Sequence, residues 1–218
     1  GSLLNSMGKT SEAIPLLRKT IKKKEELVLN GELQYGMTVP SAYRELAEAL
    51  KNQRAYTEAN TYYEKALSLR KTLNKASYVY LDFRDLAGIY HSFADLLLKQ
   101  KKYFRALVYE LHAIKIIKNL IRFGKRPEEW REELSSTYCG LAAILGEVKF
   151  FALADYFYRK SIAIFERIEK SGEPFDKQML AVKYNNWAIT SMDSKKYQQA
   201  EDALRKTELL LSQLANDG

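Results

Sequence analysis

The sequence predicts an all-α solenoid of stacked antiparallel helix pairs, about five repeats with the first truncated. Three observations carry this. Ala13, Ala59, Ala106, Ala154 and Ala200 form a column spaced 46, 47, 48 and 46 residues apart. An aromatic precedes four of these alanines by three residues (Tyr56, Tyr103, Phe151 and Tyr197, with Thr10 the exception). A large residue follows each by four: Leu17, Tyr63, Glu110, Tyr158 and Leu204. Sixteen residues upstream of the last four alanines stands a tyrosine: Tyr43, Tyr90, Tyr138 and Tyr184. A large–small pair follows each tyrosine: Leu46-Ala47, Phe93-Ala94, Leu141-Ala142 and Trp187-Ala188. A period of this length, repeated to the end of the chain, is the signature of a repeat architecture. Two helices joined by a short turn approach closely only where one side chain is small, and aromatics fill the space around it.

The elements follow in order. The repeats are expected at approximately 1–30, 40–73, 77–123, 127–171 and 175–216, all within one domain covering 1–218. Residues 1–8 read as the tail of a first helix, and Pro15 as the limit of what a helix start tolerates. Asn30-Gly31 and Gly36 to Pro40 separate the first two repeats, and Leu73-Asn74-Lys75 is the weakest break. Apolar residues recur at helical spacing from Tyr78 to Lys99 and from Tyr103 to about Arg122. Gly124 to Glu129 reads as a stop, then a helix start with proline in the first turn; Ser171 to Pro174 reads the same way. Leu209, Leu210, Leu211 and Leu214 leave an apolar stretch at the end. A solenoid needs polar caps, so the chain is expected to be a piece of a longer protein, with homo-oligomerisation through exposed ends as the alternative.

These columns resemble the tetratricopeptide repeat, whose common form is about 34 residues. The roughly 12 extra residues per unit are placed in longer helices, as in kinesin-light-chain-like repeats and bacterial peptide-sensing regulators. The resemblance implies a right-handed superhelical solenoid whose first helices line a concave groove. It also implies a protein- or peptide-binding scaffold with no enzymatic activity and no cofactor. A peptide-sensing regulatory module of a larger bacterial signalling or transcription regulator is the alternative. In the resembled family the groove-facing positions flank the large–small pair. Here these include Arg44, Glu48, His91, Asp95, Asn185 and Asn186, proposed to contact an extended peptide. Tyr184-Asn185-Asn186-Trp187-Ala188 resembles the asparagine-bearing segment of kinesin-light-chain repeats, and an amide can hold a peptide backbone through donor and acceptor alike.

Composition narrows the alternatives. Thirty-five basic against 27 acidic residues give a net charge of +8. The lysines recur in the turn inside each repeat (Lys101-Lys102, Lys149, Lys195-Lys196, with Arg54 in the same place), where charge reads as solvation rather than a nucleic-acid interface. No apolar run reaches the roughly 18 residues of a membrane span, and the single cysteine, Cys139, is compatible with a reducing, cytoplasmic location. His91 and His112 have no ligand-spaced partners, so neither a metal nor a catalytic site is expected. The recurrent tyrosines read as packing residues. Glu110 stands in a column otherwise held by Leu17, Tyr63, Tyr158 and Leu204. A buried carboxylate needs partners, so a locally solvated or tyrosine-bonded side chain is expected, with a groove-edge specificity residue as the alternative.

Overall fold

The computed structural model describes residues 10–76, 80–123, 130–172 and 174–216. The readings for residues 1–8 and for Gly124 to Glu129 lie outside them. Among the described residues the regular structure is α-helical, with 3-10 geometry at Leu33–Thr38 and at Trp130. The helices are α1 (Thr10–Leu29), α2 (Val39–Asn52), α3 (Tyr56–Ala76), α4 (Tyr80–Lys99), α5 (Tyr103–Phe123), α6 (Arg131–Glu147), α7 (Phe151–Ser171), α8 (Lys177–Asp193) and α9 (Tyr197–Asn216). The chain divides into two compact units, Gly1–Ile116 and Ile117–Gly218, described separately below.

Helix boundaries follow local chemistry. Gly31, at φ 93°, closes α1, and the Gly36 region is a 3-10 segment, Leu33–Thr38, leading into α2 with Pro40 in its first turn. Proline is preorganised there and lacks the N–H that would go unpaired. Leu73-Asn74-Lys75 is no break: α3 continues to Ala76, because none of the three residues forbids helix and the last turn tolerates asparagine. Gly172, at φ 74°, ends α7. The start of α8 lies beyond Pro174, at the Asp176 cap, whose Oδ1 accepts from the Met179 N–H at 3.0 Å. The cap side chain, rather than the proline, sets that helix start.

The turns inside the hairpins share one geometry. In α2–α3, Arg54 N–H bonds the Lys51 carbonyl at 3.0 Å and Ala55 N–H the Leu50 carbonyl at 2.9 Å. The same pair of bonds recurs at Lys101 and Lys102, at Lys149 and Phe150, and at Lys195 and Lys196. This is the Schellman closure of a helix C-terminus. It places Arg54, Lys101, Lys149 and Lys195 in the left-handed region, at φ 58–64°. Glycine is the usual residue there. A cation at that position faces the negative end of the helix dipole.

The column alanines sit where the second helix meets the first. Ala13, Ala59, Ala106 and Ala154 are fully buried and Ala200 nearly so; Ala47, Ala94, Ala142 and Ala188 mirror them on the first helices. In the first unit Phe93 stacks on Tyr63 at 5.1 Å between ring centroids and meets Tyr109 at the same distance. In the second, Phe165, Leu180, Tyr184 and Ala188 form one cluster with Ile162 and Ala203. The tyrosine column is buried, as packing residues should be. Tyr43 donates to Glu25 and Tyr184 to Glu166, each 18 residues back, while Lys65 lies over Tyr43 and Lys206 over Tyr184. These bonds tie a first helix to the second helix before it. One expected packing aromatic behaves differently: Tyr197 is 67% exposed.

Candidate functional site on the first helices

In the first unit the side chains of α2 and α4 meet in a regular ladder. Ser41 Oγ donates to Asp85 Oδ2 (2.6 Å), Ser92 Oγ to Glu48 Oε1 (2.7 Å) and Lys51 Nζ to Asp95 Oδ2 (2.6 Å). Each pair is 44 residues apart, whereas Ala59 and Ala106, which mark the repeat, are 47 apart. Neighbouring first helices are therefore staggered by about one turn. Arg44 and Gly88 share the same 44-residue offset. A Cβ on Gly88 would stand 3.0 Å from Arg44 Nη1, so the guanidinium lies across α4 where a glycine leaves room. Arg44 is half-buried. Below the ladder, buried Arg70 bonds Asp85 (2.6 Å) and the Met37 carbonyl (2.7 Å).

Glu48, His91 and Asp95, three of the residues expected to face a partner, are thus also structural. His91 Nδ1 lies 2.7 Å from Oε1 of Glu110, which is 1% exposed. Glu110 is neither solvated nor tyrosine-bonded, contrary to expectation; its partner is the histidine one helix away. Its Oε2 is buried without a hydrogen bond, as is the Tyr63 hydroxyl. Burial raises the pKa of Glu110. Burial would lower that of His91, but the Glu110 carboxylate, with Asp95 behind it, outweighs this and holds it above the ordinary range. Glu110 takes the Nδ1 side of the ring, and about a third of the His91 side chain stays exposed.

In the second unit Asn185 and Asn186 lie together on α8, both half-buried. Asn186 Nδ2 turns to the Cys139 sulfur at 3.8 Å, while the Asn185 amide makes no hydrogen bond among the described residues. Gly146 lets Thr190 in, since a Cβ there would stand 3.1 Å from it. Ile189 and Met192 continue the exposed side of the helix.

A second feature of this unit was not foreseen. Asp155 accepts from Trp187 Nε1 (2.8 Å), Gln199 Nε2 (2.7 Å) and Arg159 Nε (3.0 Å), and Arg159 covers the indole ring at 5.1 Å. These bonds hold the Asp155 pKa below the usual carboxylate value against the opposing effect of burial. Beside them a cleft of about 610 Å³ opens, lined by Arg159, Trp187, Gln199 and Lys206 among others. Its cations are paired: Arg159 with Asp155, Lys206 with Glu166 at 3.7 Å. Asp155 stands in the fourth repeat and Trp187 and Gln199 in the fifth, and nothing in their spacing shows that they converge. Among the described residues no cluster of three His, Cys, Asp or Glu could hold a metal ion, and no helix is long and apolar enough to cross a membrane.

Residues 41–77 match the family model of the tetratricopeptide repeat. The chain carries a tetratricopeptide repeat. The match spans the α2–α3 hairpin. No curated protein matches the sequence. Among solved structures the chain is similar to BtubC (BKLC) from P. vanneervenii, at 18% identity and a TM-score of 0.71, over 98% of this chain and 77% of that one. It is also similar to a kinesin-light-chain candidate of Podosopora anserina built of nearly identical TPR-like repeats. There the identity is 15% and the TM-score 0.58, over 97% and 91% of the two chains. A second structure of those repeats gives 15% and 0.61, over 98% and 92%. At these identities the likeness establishes the fold, a helical solenoid of the tetratricopeptide type.

Proposed function

We propose that this tetratricopeptide chain is a protein-binding scaffold whose first helices hold an extended partner segment. The observation that carries the reading is Arg44. Its side chain is half-buried, has no ion-pair partner among the described residues, and lies across Gly88. A guanidinium offers five donors in a planar fork, suited to a carboxylate or backbone carbonyls of a partner. Asn185 supplies the corresponding group in the second unit, an amide with donors and acceptor unused. Glu48, His91 and Asp95 flank Arg44 and select among partners by charge, while Asn186, turned towards Cys139, positions Asn185.

The test uses Gly88→Ala together with Arg44→Ala and Asn185→Ala. The added methyl meets only the far end of a flexible side chain, so the helix keeps its fold and gains about 0.5–1 kcal/mol of intrinsic preference, while Arg44 is displaced. A partner isolated on the immobilised protein and mapped to a peptide should bind all three variants at least five-fold more weakly, with melting temperatures equal to or above the parent's. A peptide that binds the three variants as tightly as the parent refutes the assignment.

A further inference from the structure

The turns inside the hairpins carry more than the fold needs. A cation in the left-handed position closes the helix and meets its dipole, which accounts for Arg54, Lys101, Lys149 and Lys195. It does not account for the second lysine that follows at Lys102 and Lys196, nor for the aromatics that come next. Phe104 is 79% exposed, Phe150 61% and Tyr197 67%. A phenyl ring exposed to this degree buries little apolar surface and costs solubility. The α4–α5 turn is the most extreme. Lys99, Lys101, Lys102 and Arg105 surround Phe104, and no acidic residue occurs between Asp95 and Glu110. Among the described residues only Lys99 and Arg105 of these have ion-pair partners, at a loose 3.8 Å each; Lys101 and Lys102 are exposed.

Within each unit the two turns lie side by side. In the first, Gln100 reaches the Tyr56 carbonyl at 3.4 Å and accepts from Asn60 at 3.2 Å. In the second, Gln199 bridges to Asp155 at 2.7 Å. In the first unit the α2–α3 tip carries Arg54 and the α4–α5 tip Lys101, Lys102 and Phe104; in the second the tips carry Lys149 with Phe150 and Lys195 and Lys196 with Tyr197.

We propose that the basic, aromatic turn tips of each unit bind an anionic lipid bilayer, with the lysines at the headgroups and the exposed phenyl ring, Phe104 in the first unit and Phe150 in the second, in the interface. Two features favour a bilayer over nucleic acid. The tips are short projections that meet a plane, whereas a single strand is tracked by a lined groove. Two of the three exposed rings at the tips are phenyls with no polar handle, suited to the boundary of headgroup and acyl chain. Each lysine near an anionic leaflet is worth about 1 kcal/mol, a roughly five-fold gain in partitioning. The surface is distinct from the first-helix residues proposed to hold a peptide.

Co-sedimentation with vesicles of phosphatidylcholine containing about one-third phosphatidylserine tests this. The full chain should bind these vesicles, bind pure phosphatidylcholine vesicles at least ten-fold less, and lose binding as salt rises. Lys101→Glu with Lys102→Glu, Lys195→Glu and Lys196→Glu should weaken binding at least twenty-fold. Phe104→Ser with Phe150→Ser should weaken it about five-fold while leaving the salt dependence in place. Both sets should keep the parental helical signal and melting temperature; lysine-to-glutamine versions replace any reversal that does not, and should weaken binding at least five-fold. Absence of binding to phosphatidylserine vesicles at low salt overturns the proposal, as does equal binding by the variants. So does tighter binding to a single-stranded oligonucleotide than to the vesicles. Retention of peptide binding by the lysine variants would leave the first-helix reading standing whichever way the vesicle result falls.

Discussion

Replacing Glu110 by leucine should leave the protein as stable as the parent or more so, whereas replacing His91 by alanine should destabilise it. Glu110 is 1% exposed, one carboxylate oxygen is held only by His91 and the other by nothing. Removing His91 leaves a buried charge with no counterpart, a change that typically costs about 3–5 kcal/mol. Protonation of Glu110 caps the loss, so about 2–4 kcal/mol is expected at neutral pH. Glu110→Leu removes the charge and fills a column where Leu17 already stands buried. Hydrophobic replacement of buried ion pairs is often neutral or stabilising by about 1–4 kcal/mol, and the partly exposed His91 can be hydrated, so about 0–2 kcal/mol of gain is expected. In the double variant the cost of His91→Ala should largely vanish, a coupling measured by urea denaturation in a double-mutant cycle. The pH dependence has a definite sign. Both groups bind protons more tightly folded than unfolded. Their contribution is therefore fully present at low pH. It declines for Glu110 as pH rises above its ordinary 4.5, and for His91 from its ordinary 6.5 up through the raised folded value. Glu110→Leu should flatten the His91 part of that slope. If Glu110→Leu costs more than His91→Ala, or the slope between pH 6 and 8 is unchanged, the buried pair does not work as described.

Other consequences follow from the packing. Ala106→Leu should overfill a fully closed helix contact and cost about 1–3 kcal/mol; a thermal melt at the parental temperature would remove the alanine column from the core. Asp155→Ala should orphan Trp187 Nε1 and one bond of Gln199 and cost about 1–3 kcal/mol by denaturation. Since Asp155 is held below its ordinary value, its contribution should be lost only as pH falls through that depressed folded pKa.

Much of the fold was legible before any coordinates, because the constraints are local or strictly periodic. A small residue every 46 to 48 positions marks where two helices touch, whatever the rest of the chain does, and Gly31 and Gly172 stand at helix ends for conformational reasons of their own. Leu73 to Lys75, the weakest of the expected breaks, contains neither glycine nor proline, and the helix runs on to Ala76. The candidate residues on the first helices could be picked by position but not by behaviour. That Glu48 would accept from Ser92 and Asp95 hold Lys51 depends on a stagger of one turn between neighbouring repeats, which no column records. Glu110 illustrates the boundary most sharply. The sequence by itself placed Glu110 in a column of large residues and marked it as the exception there, with local solvation or a tyrosine bond as the expectation. Only the tertiary structure decided that His91, nineteen residues earlier, supplies the partner, because which side chains meet across a hairpin depends on how far one helix slides and turns against the other, and packing alone sets that.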